Sequence, residues 1–142
     1  TKMVTFLMLA GWQHEWAAIS LCVASRLPQN EAFEILLRAL RTMELGRASN
    51  ITQAITATKH PGAEATLRRH LDVLWRHPDL WHDADFSNWI AFEATTCIRN
   101  LIDLGAPPED FNEQVRLLSE HSCSGNRNSC RNFLAKHYAW LK

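Results

Sequence analysis

Between His77 and Phe86 the chain reads His-Pro-Asp-Leu-Trp-His-Asp-Ala-Asp-Phe, with Trp75 shortly before it and Trp89 shortly after. Pro78 keeps this stretch out of a continuous helix, so it reads as an irregular connection. Asp79, Asp83 and Asp85 put three carboxylates among large aromatics there. The combination suits recognition: aromatic rings supply contact area, while the acids select and steer a basic partner. Asp79, Trp81, His82, Asp83 and Asp85 are therefore the candidate partner-binding residues, and the expected partner is another protein with a basic surface. The structural alternative has Trp81 and Phe86 plugging the core while the acids cap the next helix. A hydrolytic or metal-binding role would use the adjacent His82 and Asp83. The further histidines and aspartates such a site needs have no counterparts at helical spacing.

A second constellation lies near the C-terminus, where His121, Cys123, Cys130 and His137 have the residue types of a tetrahedral zinc site. Six residues separate the two cysteines, whereas zinc sites commonly place about two to four between paired cysteines. A Cys123–Cys130 disulfide would need an oxidising compartment, and two separate thiols are the simpler reading. The third constellation is Trp12-Gln13-His14-Glu15-Trp16. Neighbours on a helix point about 100° apart, so His14 and Glu15 do not converge on one substrate, and the two tryptophans read as core.

The chain contains no Gly-rich phosphate loop, no Gly-x-Ser-x-Gly elbow and no His-Glu-x-x-His. No catalytic residue, metal ligand set or cofactor is called for. The favoured function is non-catalytic protein binding; the alternative is a small metal-dependent or carboxylate-based hydrolase assembled from distant residues.

These residues must be positioned by helices, because apolar side chains recur at three and four residues through every long segment. Phe33, Leu36, Leu37, Leu40 and Met43 form one stripe; Leu67, Leu71, Leu74 and Trp75 form a second. Ile90, Ala94, Cys97, Ile98 and Leu101 make a third, and Leu134, Tyr138 and Leu141 a fourth. Leu37, Leu40, Leu71, Leu74, Ile98, Leu101 and Leu134 are expected to be almost fully buried. The spacing predicts a first helix over 3–26, then helices capped by Asn30 and Asn50 and terminated near Gly46 and Lys59. Pro61 suits the first turn of a helix running to Arg76. Asp85 or Ser87 would cap the next one, to Leu104, and Pro107-Pro108 would start a sixth, ending near His121. A polar loop over 122–128 and a last helix from Ser129 to Leu141 complete the reading. The fold class is all-α, with six or seven helices in one domain over 1–142.

Composition supports a folded protein: 142 residues, 46% hydrophobic and 21% charged. The 15 basic and 15 acidic side chains balance, which argues against a dedicated nucleic-acid binder. Arg38, Arg41, Arg47, Arg68, Arg69 and Arg76 mostly have an acid three or four positions away and read as solvated ion-paired faces. The apolar run over 3–10 is too short to span a bilayer, so no membrane association is expected. Four cysteines are too few for a disulfide scaffold, and the expected location is the reducing cytoplasm.

From Ile51 to Gly105, His60-Pro61-Gly62-Ala63-Glu64 leads into Leu67 and Leu71-Asp72, followed by Asp83 through Leu104. This stretch, a third to half of the chain, resembles degenerate HEAT-type α-helical repeats. The resemblance implies a short, slightly curved antiparallel stack that binds another macromolecule, as in bacterial regulators and toxin-immunity proteins. An irregular helical bundle is the alternative arrangement.

Overall fold

The computed structural model describes residues 16–82 and 89–141. Among them are seven α-helices and no strand: α1 Trp16–Arg26, α2 Gln29–Thr42, α3 Ser49–Thr58, α4 Ala63–Trp75, α5 Trp89–Asp103, α6 Asn112–Ser119 and α7 Ser124–Leu134. Short 3-10 turns at Pro108–Phe111 and Ala135–His137 precede α6 and follow α7. The all-α expectation is met, for the physical reason given by the stripes. A side chain every three or four residues can be buried only on one face of a helix.

The odd-numbered helices follow one another, α1 on α3, α3 on α5 and α5 on α7, while α2, α4 and α6 each touch the two that flank them in sequence. One continuous core results. Leu36, Ile51, Ile55, Leu67, Leu74, Ile98, Leu101, Leu118 and Leu134 are among its fully enclosed side chains, each worth about 1.5–3 kcal/mol of burial. Of the seven residues expected to be buried, Leu40, Leu71, Leu74, Ile98, Leu101 and Leu134 are. Leu37 is only half-buried against the core edge. The stripe of α2 turns inward on Phe33, Leu36 and Leu40, and Leu37 falls on its shoulder.

Helix ends depart from the expected caps in a consistent way. Neither Asn30 nor Asn50 caps its helix: α2 and α3 begin after Pro28 and Ala48 without a side-chain cap. Asn30 is engaged elsewhere, its Oδ1 accepting a hydrogen bond from His60 Nε2 at 3.0 Å. The α3 N-terminus is met by a carboxylate from a distant helix, since Glu93 Oε1 accepts the Ala48 N–H. Helix α2 ends at Thr42, short of the expected end near Gly46, because Met43 is extended. Gly46 serves the following turn with φ +94°, and a Cβ there would lie 3.0 Å from Trp89 Cβ. Pro61 stands in the turn before α4 and not in its first turn.

Three histidines share one local device. The Nδ1 atoms of His60, His77 and His121 accept the backbone N–H two residues on, from Gly62 at 2.9 Å, Asp79 at 3.1 Å and Cys123 at 3.0 Å. An imidazole nitrogen that accepts leaves the ring proton on Nε2. The two His-Pro segments thus act as related turn-formers ahead of α4 and in the connection after it. His60 is further fixed by parallel stacking on Phe33, with ring centroids 3.9 Å apart.

The C-terminal region differs most from expectation. The predicted loop over 122–128 is largely the opening of α7, which starts at Ser124 and ends at Leu134, short of the expected Leu141. The Cys123 carbonyl accepts from Asn126 and Arg127. The Arg127 guanidinium folds back on the carbonyls of His121 and Ser122 at 2.6 and 2.9 Å. This polar sequence is held helical by contacts to its own N-terminal turn, which hydrophobic periodicity does not register.

Candidate partner-binding edge and the buried polar centre

Of the predicted binding residues, Asp79, Trp81 and His82 lie among the described residues and are exposed; Asp83 and Asp85 lie outside them, as do the proposed caps Asp85 and Ser87. The turn that carries Trp81 is built from successive short hydrogen bonds: Leu80 N–H to His77 O and His82 N–H to Asp79 O, both 3.1 Å. Leu80 is fully buried and acts as the anchor. Its carbonyl accepts from His121 Nε2 at 2.8 Å, tying the turn to the α6–α7 junction.

Trp81 therefore sits on a fixed base. It remains 44% exposed, meets Trp75 edge-on at 5.3 Å and lies tilted over His121 at 5.5 Å. The three rings, with Leu117, Glu120 and Ser122, line an open depression of about 390 Å³. Glu120 puts a carboxylate on the rim of the depression, where it stands 3.8 Å from Arg116, and Asp79 is exposed on the same turn as Trp81. Trp81 does not plug the core, as the structural alternative had it, and Leu80 does; Phe86, the other residue of that alternative, lies outside the described residues.

His121, considered as a metal ligand, has both ring nitrogens engaged, one as donor to Leu80 and one as acceptor from Cys123. Among the described residues no group of three or more His, Cys, Asp or Glu is arranged to hold a metal ion. Cys123 and Cys130 are free thiols. Seven helical residues apart, their α-carbons stand roughly 10 Å apart along the axis, beyond disulfide reach. Burial pushes the Cys130 thiol up to about 11, and Cys97, also buried, is held far above the usual thiol range, chiefly by desolvation with the Glu93 charge adding to it. Neither is a reactive nucleophile.

The site that sequence reasoning missed lies inside. Glu93 of α5 is fully buried and His70 of α4 is 7% exposed, with His70 Nε2 2.7 Å from Glu93 Oε2. Since Glu93 Oε1 accepts the Ala48 N–H, one carboxylate joins α4, α5 and the segment entering α3. Burying a carboxylate is tolerable only when its oxygens are satisfied, and here both are. Nearby, Asn100 Nδ2 donates to Thr52 Oγ1 at 3.3 Å and Thr96 Oγ1 to Ser49 Oγ at 3.4 Å, extending the polar seam between α3 and α5. The signal was present. His70 stands three residues after Leu67, and Glu93 four before Cys97, so both polar residues interrupt apolar stripes.

Fold and site define an all-α domain of serially packed helices that presents a braced tryptophan loop. No helix among the described residues is long and apolar enough to cross a membrane. No protein-family model matches the chain, and no curated protein or solved structure is significantly similar to it.

Proposed function

We propose that this protein is a non-catalytic protein-binding module that engages a basic partner through the Trp75–Trp81–His121 edge. The observation that carries the reading is Trp81: a large aromatic left nearly half exposed while its own turn is pinned by buried Leu80 and His121. A ring already fixed in position loses little entropy on association, and such tryptophans dominate binding energy at interfaces. The carboxylates of Asp79 and Glu120 supply complementary charge, and Asp83 and Asp85 of the same segment are assigned to the same role. A HEAT-like stack is retained as the proposed arrangement, with an irregular helical bundle as its alternative. The sharper form of the proposal is an immunity- or antitoxin-like protein acting in the cytoplasm, which needs only a stable fold and one complementary surface.

The buried His70–Glu93 pair does not favour the hydrolase alternative. Its carboxylate is inaccessible and engaged at both oxygens, so it is better explained as a brace. The test is to crosslink a partner in cells with the full chain, identify it, and titrate it against wild type and Trp81→Ala. Binding should weaken on the order of tenfold or more for the variant and fall with added salt. Equal affinity of the two proteins would move the interface away from this edge.

A further inference from the structure

The neutral balance of the whole chain hides a segregation of charge. Glu120 is the last acid in the sequence, and residues 121–142 carry Arg127, Arg131, Lys136 and Lys142 with no Asp or Glu among them. Most of that stretch is α7 and the turn that follows it. Asn126, Cys130 and Leu134 are the residues α7 buries. Ser124, Asn128, Arg131 and Asn132 recur at three and four residues, are all exposed, and line the opposite face. Lys136, in the 3-10 turn beyond, is exposed as well. This face carries neutral polar and cationic groups only.

The charges on it are available. Arg127 is occupied by the carbonyls of His121 and Ser122, but Arg131 and Lys136 enter no ion pair among the described residues. Beside α7, the Arg99 guanidinium sits over the Phe133 ring at 4.7 Å. Stacking uses the face of that group and leaves its N–H edge for an anion; Asp103, one helical turn on, forms no ion pair with it. The acids on the α6 side have their own partners. Asp110 is held by Arg68 at 2.8 Å, and Glu113 and Glu120 by Arg116; Glu109 acts on the Tyr138 phenol. Past the turn, Trp140 is 52% exposed, with its ring braced against Tyr138 at 5.4 Å. Tyr138 is itself fastened to the Pro108 carbonyl.

Cations, side-chain amides and a fixed exposed aromatic ring are the means by which proteins hold an unpaired nucleic-acid strand. The cations meet phosphates, the amides of Asn128 and Asn132 can both donate to and accept from sugars and base edges, and a base stacks on the ring. A membrane or an amphipathic protein helix would need a broad apolar seat, which this face of α7 lacks. We infer that the exposed face of α7, with Arg99 beside it and Trp140 beyond its end, binds single-stranded nucleic acid. Arg131, Lys136 and Arg99 take the phosphates and Trp140 takes a base. The surface uses none of the residues of the Trp81 edge.

The test is fluorescence anisotropy of the full chain with dye-labelled oligo(dT), oligo(U) and a duplex of the same length. Both single strands should bind more tightly than the duplex, whose bases are not free to stack on Trp140. The tighter of the two single strands identifies the source as DNA or RNA. Neutralising about three phosphates gives a slope of log affinity against log salt of about −2. Joint Arg131→Glu and Lys136→Glu should weaken binding on the order of tenfold or more, and Trp140→Ala on the order of tenfold. Trp140→Phe should keep most of the affinity, and Trp81→Ala all of it. Should the double charge reversal prove poorly folded by circular dichroism, joint Asn128→Asp and Asn132→Asp replaces it, adding negative charge at two exposed positions of the same face. Absence of binding to either single strand overturns the proposal, as does equal or tighter binding of the duplex. So does affinity that survives both charge variants or Trp140→Ala. Competition by polyglutamate or anionic vesicles as effective as that of an unlabelled oligonucleotide of equal charge would also overturn it, reassigning the face to a protein or a membrane.

Discussion

Two exposed tryptophans, Trp81 and Trp89, stand on supports that are built differently. Trp81 lies over His121, whose ring bridges the Leu80 carbonyl and the Cys123 amide without any charged partner. Trp89 packs against the Gly46 turn, and the chain leaving that turn is held by Glu93, which is in turn paired with His70. One support is a hydrogen-bond bridge between two backbone segments. The other is a buried carboxylate serving three. The difference matters because losing one partner of a buried charged group strands a charge, while losing a bridging imidazole strands only neutral backbone groups.

The largest effect should therefore come from the charged support. Glu93→Ala is expected to cost about 3–5 kcal/mol in urea unfolding, because it leaves the His70 ring and the Ala48 amide unsatisfied together. Glu93→Gln keeps the volume and an acceptor, and should cost only about 1–3 kcal/mol. Equal losses for the two variants would mean that shape, and not charge, makes this support the stronger.

His121→Ala comes next, at about 1–3 kcal/mol, with a larger change in Trp81 fluorescence than in overall helicity. Nitrogen NMR should find the His121 proton on Nε2. A proton on Nδ1 would contradict the bridge and erase the contrast with His70.

Alkaline pH should act on the C-terminal fastening. Tyr138, the only tyrosine in the chain, donates its hydroxyl to the Pro108 carbonyl at 2.7 Å, fastening the C-terminal segment to the turn that starts α6. Burial, reinforced by the nearby Cys130, Glu109 and Asp110, raises its phenol from 10.0 to about 12. The folded state thus favours the neutral phenol. Its contribution is complete below pH 10 and is lost as pH rises towards 12. Absorbance titration of the phenol checks the value; stability should decline over the same interval, and Tyr138→Phe should flatten that decline.

The smallest stability change belongs to Trp81→Ala, expected at about 1 kcal/mol or less despite the large effect on partner binding proposed for it. A loss comparable to that of His121→Ala would make Trp81 part of its own support and weaken the case for a recognition residue.

The helices were legible because burial acts on a fixed period: the stripes through Leu67, Leu71 and Leu74, and through Ile90, Ala94 and Ile98, describe the faces that pack. Of the proposed binding edge, Trp81 and the irregular turn around it could be read from Pro78 and composition. What could not be read is everything set by partners distant in sequence. Asn50 looks like a cap, and no local rule announces that a glutamate 45 residues downstream of Ala48 will meet that amide instead. Helix α7 was hidden for a related reason, its first turn depending on the Arg127 side chain folding back on the backbone.

That remote contact also orders events during synthesis. Helix α3 leaves the ribosome well before α5, and until α5 follows, the amide entering α3 has no carboxylate and the floor beneath Ile51 and Ile55 is incomplete. An isolated helix of ten residues is marginal in water. The N-terminal segments are therefore expected to wait, their apolar faces open to chaperones, and to consolidate in one cooperative step when Glu93 arrives. Nascent chains arrested before α5 should be protease-sensitive throughout, and those arrested beyond it protected.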